Sequence, residues 1–489
     1  MEQEVNEQVL EKVIERAREK NIIIPTFEEM RNPEKIPEGI KQELKNIGLW
    51  DLHPRNLFRI TWKNEPVKFG GGFDGVNYIE LPKELTGVKA RIFVLLGKFF
   101  PTGAHKVGAT FGPLVERLVK GQFDPTRQKA LWPSTGNYCR GGAYNSALLG
   151  CKAIAVLPEG MSKERFEWLK SIGAEIYATP GVESNVKEVF DKSKELKEKY
   201  PDEVVVLNQF DEFGNPVWHF AVTGPAMEEV FEQNKKEGDR FSALFLTQGS
   251  AGTLGSGNYL RTRFPKIKIG AGEALQCPTL LYNGYGAHRI EGIGDKHVPW
   301  VMDVKNLDMV VDIDDEFTMH ILRLFNEEAG RKFLKTVVPA EIVDKLDLLG
   351  ISSIANIVGA IKMAKYYEMT EHDMVFTVAT DSMELYQSRI QELREQYGEY
   401  DEVKAAQDFE RYLMGITTDW MIEMNYYDKK RMHNLKYFTW VEQQGKTVEE
   451  LNEQWYNDNY FLERLESYKK WDELIKDFNE KVGLIQKYR

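Results

Sequence analysis

The feature that most constrains the fold is a unit that recurs along the chain: a short apolar run, a polar loop rich in glycine, and the start of a helix. Residues 91–96 lead through Phe99-Phe100-Pro101-Thr102-Gly103-Ala104-His105-Lys106-Val107-Gly108 into helix-like apolar spacing over 108–120. Residues 130–132 lead through Pro133-Ser134-Thr135-Gly136-Asn137-Tyr138-Cys139-Arg140-Gly141-Gly142 into a small-residue helix over 143–149. Residues 243–248 run into Gly249-Ser250-Ala251-Gly252-Thr253-Leu254-Gly255-Ser256-Gly257. Further strands are expected at 151–157, 175–178, 204–207, 309–313 and 374–379, with helices at 162–172, 182–200, 315–325 and 359–367 between them. Ser162 reads as an N-cap and Gly173 as a stop. Strands alternating with helices are the signature of parallel sheet built from crossover units, so the expected class is α/β, and ligands belong at the carboxyl ends of such strands. The strand at 374–379 ends there on Thr380, Asp381 and Ser382.

Outside this region the pattern changes. An amphipathic helix over 5–20 and a stretch punctuated by Pro25, Pro33 and Pro37 read as an arm over the body, while Gly70-Gly71-Gly72 lacks a preceding strand and reads as a turn. Beyond Gln387 the chain is rich in Glu, Lys, Trp and Tyr and reads as helices packed on the body or on a second subunit. A chain of 489 residues with 42% hydrophobic content supports two or three packed lobes. A net charge of -12 without a basic block argues against nucleic acid and anionic membrane as partners. No export leader or run of eighteen apolar residues is visible, and three scattered cysteines give neither a disulfide framework nor a zinc spacing, which points to a reduced cytoplasm and no metal.

The chemistry is read from the loops. A lysine at a strand-to-helix turn among Thr, Gly and Ala can have its amine desolvated beside a positive helix end, which favours the nucleophilic form that an aldehyde cofactor needs. The 133–142 loop offers hydroxyls, an amide and backbone N–H groups to a carboxylate, and the 249–257 loop offers glycines, Ser250 and Thr253 to a phosphate. The glycine spacing is wrong for a dinucleotide fingerprint.

In this order the loops resemble those of the fold-type II pyridoxal-phosphate enzymes, specifically the cysteine synthase and cystathionine β-synthase family. Four further stretches carry the resemblance: Pro158-Glu159-Gly160-Met161-Ser162 with Leu169-Lys170-Ser171-Ile172-Gly173-Ala174-Glu175; Asn208-Gln209-Phe210 with Asn215-Pro216 and Thr223-Gly224-Pro225; Glu291-Gly292-Ile293-Gly294 with Val298-Pro299; and Gly350-Ile351-Ser352-Ser353. The resemblance covers residues 92–386 and implies two open parallel-sheet lobes with pyridoxal 5'-phosphate between them. Residues 1–88 would be the arm and start of the large lobe, 89–225 mainly the small substrate-carboxylate lobe with the Schiff-base lysine, 226–386 the large phosphate-binding lobe, and 387–489 a helical extension. The family pattern implies that Lys106 forms the internal aldimine and Asn137 bonds the cofactor's ring oxygen. Ser134, Thr135, Gly136, Tyr138 and Gln209 would bind substrate, and Gly249, Ser250, Ala251, Gly252 and Thr253 would hold the phosphate. Ser382 would face the pyridine nitrogen, although a turn of that loop could present Asp381 instead. A hydroxyl at that nitrogen leaves it unprotonated, which favours prompt loss of a group from Cβ through an aminoacrylate. The implied reaction is β-elimination or β-replacement on serine, cysteine or O-acetylserine, by a homodimer.

The chain departs from the family in places. Tyr138 adds a phenol that is expected at the pocket mouth, and Ala251 stands where glycine is usual. Trp218 and His219 lie near the carboxylate glutamine and read as packed structural residues, and Cys139 reads as a buried thiol unless a helix end activates it. Thr102-Gly103-Ala104-His105-Lys106 is also similar to the tryptophan synthase β-subunit, but the carboxylate loop lacks that enzyme's acidic residue. The alternatives are a specialised amino acid lyase, a 2-amino-4-oxopentanoate thiolase β-subunit with a small accessory subunit, and a non-catalytic scaffold on the same fold.

Overall fold

A computed structural model describes residues 5–134, 136–161, 163–182 and 185–488, so Thr135 and Ser162 lie outside the described residues. The expected alternation appears as two sheets. The strands are β1 (Tyr78–Leu81), β2 (Arg91–Leu96), β3 (Lys129–Pro133), β4 (Lys152–Pro158), β5 (Glu175–Thr179), β6 (Val204–Val206), β7 (Arg240–Thr247), β8 (Lys268–Ala274), β9 (Met309–Ile313), β10 (Asp373–Ala379) and β11 (Met421–Glu423). Seven form one sheet in the order β1-β2-β10-β7-β8-β9-β11, and four form a second in the order β5-β4-β3-β6. The smaller sheet is parallel throughout, whereas β1 and β11 pair antiparallel at the two edges of the larger one.

The order β2-β10-β7 places three chemically distinct loops side by side. The Lys106 loop leaves β2, the Asp381 and Ser382 turn leaves β10, and the 248–253 loop leaves β7. The strand Arg91–Leu96 therefore belongs to the larger sheet, and the strands of the smaller sheet span only 129–206, not the whole of 89–225. The reason is pairing: every residue of Arg91–Leu96 is in register with β10, from Met374 opposite Arg91 to Ala379 opposite Leu96.

The helix Lys106–Val119 is pressed against Gly214–Trp218, and a Cβ on Gly108 would come within 2.2 Å of the Trp218 indole. Glycine at that position is what permits the close approach, and Trp218 is the packed aromatic that the sequence suggested. The helix expected at 359–367 begins earlier and spans Ile351–Tyr366, because Ser352 and Ser353 face inward and continue its buried surface.

The two ends of the chain meet. The arm opens with the helix Glu7–Glu19, and a second short helix, Phe27–Arg31, is held by a capping box of Thr26 and Glu29. Asp472 on the helix Tyr468–Val482 accepts from the Phe27 and Glu28 N–H groups at 2.7 and 3.2 Å. Asn479 on the same helix exchanges hydrogen bonds with the Ile24 backbone at 3.0 and 2.7 Å. Lys436 is buried and donates to the carbonyls of Trp300 and Met302 and to Gln454 Oε1. The extension thus folds onto its own body, and it adds a strand, β11, to a region expected to be only helical. Among the described residues no helix is long and apolar enough to cross a membrane.

Candidate active site

Lys106 opens its helix at the end of a constrained segment, in which Thr102 has φ 67° and His105 is fully buried. A threonine in the left-handed region costs on the order of 1 kcal/mol or more, a strain tolerated where surrounding structure fixes the backbone. The Lys106 Nζ donates to Gln209 Oε1 and to Ser250 Oγ, both at 3.2 Å. These two acceptors come from the loop after β6 and the loop after β7, so the amine stands where both sheets deliver their loops. Asn215 ties the same acceptors together, donating to Ser250 Oγ at 2.9 Å and to the Gln209 carbonyl at 3.0 Å.

Gly249, Ser250, Ala251, Gly252 and Thr253 wrap from the end of β7 into the helix Gly255–Arg263, the geometry of an anion site at a helix N-terminus. A Cβ on Gly252 would sit 1.9 Å from Asn215 Oδ1, so the position requires glycine. Ala251 has φ 62°, which gives the physical reason that glycine is usual there: an L-residue in this region costs about 1–2 kcal/mol.

Across the crevice, Ser134 is buried and its Oγ accepts from the Gly136 N–H at 3.0 Å. Asn137 donates through Nδ2 to Asp381 Oδ2 at 2.6 Å, and the Tyr386 hydroxyl donates to the same oxygen at 2.6 Å. Arg165 donates to the Tyr386 oxygen at 3.0 Å and pairs with Glu291 at 3.4 Å, and Glu291 is also held by Arg389 at 2.6 Å. Burial pushes the Asp381 carboxyl above the usual range, and burial beside the Arg165 guanidinium pushes Arg140 down to about 10. With Oδ2 engaged by Asn137 and Tyr386, Asp381 is committed to this network. Ser382 Oγ is buried and, among the described residues, has no partner.

Tyr138 departs from its expected place. Its ring packs edge-on against Trp132, with centroids 5.5 Å apart, and lies 6.0 Å from Lys106 Nζ, so the phenol is buried deep and not at a mouth. Burial raises the Cys139 thiol to about 12, and its Sγ donates to the Gly136 carbonyl, which makes it an inert small thiol. His219 bonds Thr223 Oγ1 at 2.9 Å, and burial holds it neutral. His105 packs against it, and burial and the Lys106 charge lower it to about 3.

The structure therefore brings Gln209, Ser250 and the Tyr138 ring to Lys106, packs Gly252 against Asn215, ties Asn137 to Asp381, and buries Ser134 and Ser382. Sequence reasoning did not assign a role to Asn215, Arg165, Glu291 or Tyr386. Asn215 and Glu291 stand inside motifs that carried the resemblance, which is the signal that was available.

The sequence profile of the family described as "Pyridoxal-phosphate dependent enzyme" matches residues 74–331. A probable cysteine synthase of Bacillus subtilis is 32% identical over 242 residues, covering 49% of this chain and 76% of that one. The cystathionine beta-synthase of Saccharomyces cerevisiae is 29% identical over 316 residues, covering 63% of this chain and 59% of its own. Among solved structures, a cysteine synthase of Entamoeba histolytica superposes with a TM-score of 0.57 at 23% identity, over 70% of this chain and 93% of that one, a likeness of fold. A larger sheet that delivers both Lys106 and the glycine cradle, a smaller parallel sheet whose Gln209 loop meets the same amine, and a profile match over residues 74–331 lead to one assignment: the chain belongs to the pyridoxal-phosphate dependent enzymes.

Proposed function

We propose that this enzyme eliminates or replaces the β-substituent of a small amino acid of the serine, cysteine or O-acetylserine kind, as the names of its cysteine synthase and cystathionine beta-synthase relatives suggest. The residues fit the cofactor on three observations: an amine shared between two loops, a cradle where any side chain at Gly252 would strike Asn215, and a buried Ser382 hydroxyl with no partner among the described residues. Pyridoxal phosphate, when bound, supplies an aldehyde carbon for an amine and a ring that accepts the electron pair left when Cα loses its proton.

This chain's own groups do the rest. Gly249, Ser250, Ala251, Gly252 and Thr253 would hold the phosphate, Asn137 would bond the ring oxygen, and Ser382 would stand at the ring nitrogen. Ser134, Thr135, Gly136, Tyr138 and Gln209 grip the substrate carboxylate, which fixes the Cα–H bond toward Lys106. Lys106 Nζ then takes that proton, a general-base role worth about 10²–10⁴ in rate. Asp381 accepts one N–H of the Asn137 amide and so fixes the amide's orientation, and the second N–H would be available to the ring oxygen.

The observation that carries the reading is the position of Lys106 Nζ, 3.2 Å from both Gln209 and Ser250, because it joins the base to the carboxylate grip and to the phosphate cradle in one place. The test is to assay pyruvate and sulfide from serine, cysteine and O-acetylserine with the cofactor-loaded protein. Turnover of at least one is expected, and a loaded protein that acts on none of them overturns the reading. A homodimer in the cytoplasm completes the proposal: all three thiols are buried and free, compatible with a reduced compartment, and light scattering checks the dimer.

A further inference from the structure

The turn that closes β10 carries two buried side chains, Asp381 and Ser382, and the family pattern places the second at the cofactor's ring nitrogen. The contacts in this structure favour the first. Asp381 directly follows Thr380, whose carbonyl accepts the His105 N–H at 3.1 Å and whose Oγ1 lies 3.2 Å from His105 Nε2, so the acid is tied to the residue before Lys106. From the other side Asn137 reaches Asp381 Oδ2 at 2.6 Å, and Asn137 opens the helix Asn137–Leu148, in which a Cβ on Gly141 would come within 3.0 Å of the Lys106 backbone. Asp381 thus stands between the Lys106 segment and the amide proposed for the ring oxygen. The chain is extended at Ser382, with φ -130° and ψ 173°, so neighbouring side chains point to opposite sides and Ser382 turns away from the side on which Asp381 meets Asn137.

Only half of this carboxyl is used. Oδ2 takes both donors, Asn137 Nδ2 and the Tyr386 hydroxyl, each at 2.6 Å, whereas Oδ1 is buried and, among the described residues, has no hydrogen-bond partner. Glycine at 350 is what leaves room for that oxygen, since a Cβ there would lie 1.9 Å from it. Gly350 caps the helix Ile351–Tyr366 and its N–H donates to the Asp381 carbonyl at 3.1 Å, so the positive end of that helix lies beside the acid and favours its charged form. Burial works the other way and raises the acid, and a buried acceptor left without a donor is costly. A cationic N–H at the carboxyl offsets both costs, and a protonated ring nitrogen is such a group.

We propose that Asp381, and not Ser382, faces the cofactor's ring nitrogen and keeps it protonated. The inference rests on the cofactor placement proposed above, with Asn137 at the ring oxygen. A carboxylate in that place makes the ring a stronger acceptor of the electron pair left at Cα than a hydroxyl does. Amino acids without a leaving group on Cβ then come within reach of the site: Lys106 Nζ takes the Cα proton of alanine and returns a solvent proton to Cα, with no bond to Cβ broken.

The test loads the full chain with cofactor isotopically labelled at the ring nitrogen and reads that nitrogen by NMR, calibrated against the free cofactor in its protonated and unprotonated forms. At a pH where the free ring nitrogen is unprotonated, the unaltered protein is expected to show the protonated form. In Asp381→Asn, which keeps the shape and an acceptor oxygen for Asn137 and Tyr386, the ratio of protonated to unprotonated ring should fall by about 10–10³-fold, the effect of removing an opposite charge from contact. Exchange of the alanine Cα–H in deuterated water should slow in the same variant by about tenfold or more. Ser382→Ala should leave the nitrogen resonance where it was. An unprotonated ring in the unaltered protein would overturn the proposal whatever the variants do, and so would a ring that stays protonated in Asp381→Asn or loses its proton in Ser382→Ala. A protein with no cofactor band in its visible spectrum would overturn it together with the placement it rests on. A protonated ring in a protein that turns over none of serine, cysteine and O-acetylserine would overturn the β-chemistry alone and support the assignment of Asp381.

Discussion

Gly252→Ala tests how tightly the phosphate cradle is built. The added methyl would lie 1.9 Å from Asn215 Oδ1, 2.5 Å from its Cγ and 2.6 Å from its Nδ2, so the amide must move. Asn215 cannot move without giving up its hydrogen bonds to Ser250 Oγ and to the Gln209 carbonyl. Two such bonds contribute about 1 kcal/mol each, and forcing a methyl into a packed site costs about 1–3 kcal/mol more. A total of about 3–5 kcal/mol follows, and falling on cofactor affinity it corresponds to binding weaker by roughly a hundredfold to a few thousandfold, at about 1.4 kcal/mol per tenfold. The assay is equilibrium titration of pyridoxal phosphate into the apoprotein by its visible absorbance, with thermal unfolding measured in parallel. Affinity within twofold of the unaltered protein would refute the cradle, and a lowered melting temperature with unchanged affinity would assign Gly252 to packing alone.

Other perturbations have defined outcomes. Glu273 and Asp312 face each other across β8 and β9, and burial pushes both carboxyls up, so the folded state holds protons that the unfolded chain has lost above the ordinary carboxylate range near pH 4. Their contribution to stability is therefore full below that range and lost as pH rises above it, and Asp312→Asn should flatten the decline of melting temperature with pH. Asn479→Ala strips the buried Ile24 N–H and carbonyl of their partners and should cost about 2–4 kcal/mol in chemical denaturation, while a loss below 0.5 kcal/mol would contradict the clasp between arm and extension. Cys139, raised to about 12 by burial, should resist thiol reagents in the native protein and react only on denaturation.

The main sheet strands were legible because each is an apolar run of strand length, and the site loops because each follows such a run. β8 was not, since Lys268–Ala274 contains Gly270 and Gly272 in place of branched residues. Those glycines stand where Met363 and Phe245 press on the sheet, a fact of packing that no local pattern carries. β1 and β11 are edge strands of four and three residues, too short for an alternation to register. In the site, Lys106, the carboxylate loop and the phosphate cradle carry their chemistry in adjacent residues. The network around Asp381 does not: Asn137 meets it from 244 residues away, and Arg165 reaches Tyr386 across 221.

The measurement closest to the central claim is to load the protein with pyridoxal phosphate, reduce it with borohydride and locate the modified residue by peptide mass spectrometry. The account predicts one pyridoxyl group, on the peptide containing Lys106, with Lys106→Ala taking up none. Modification of a different lysine, or a loaded protein in which no lysine is modified, would contradict it.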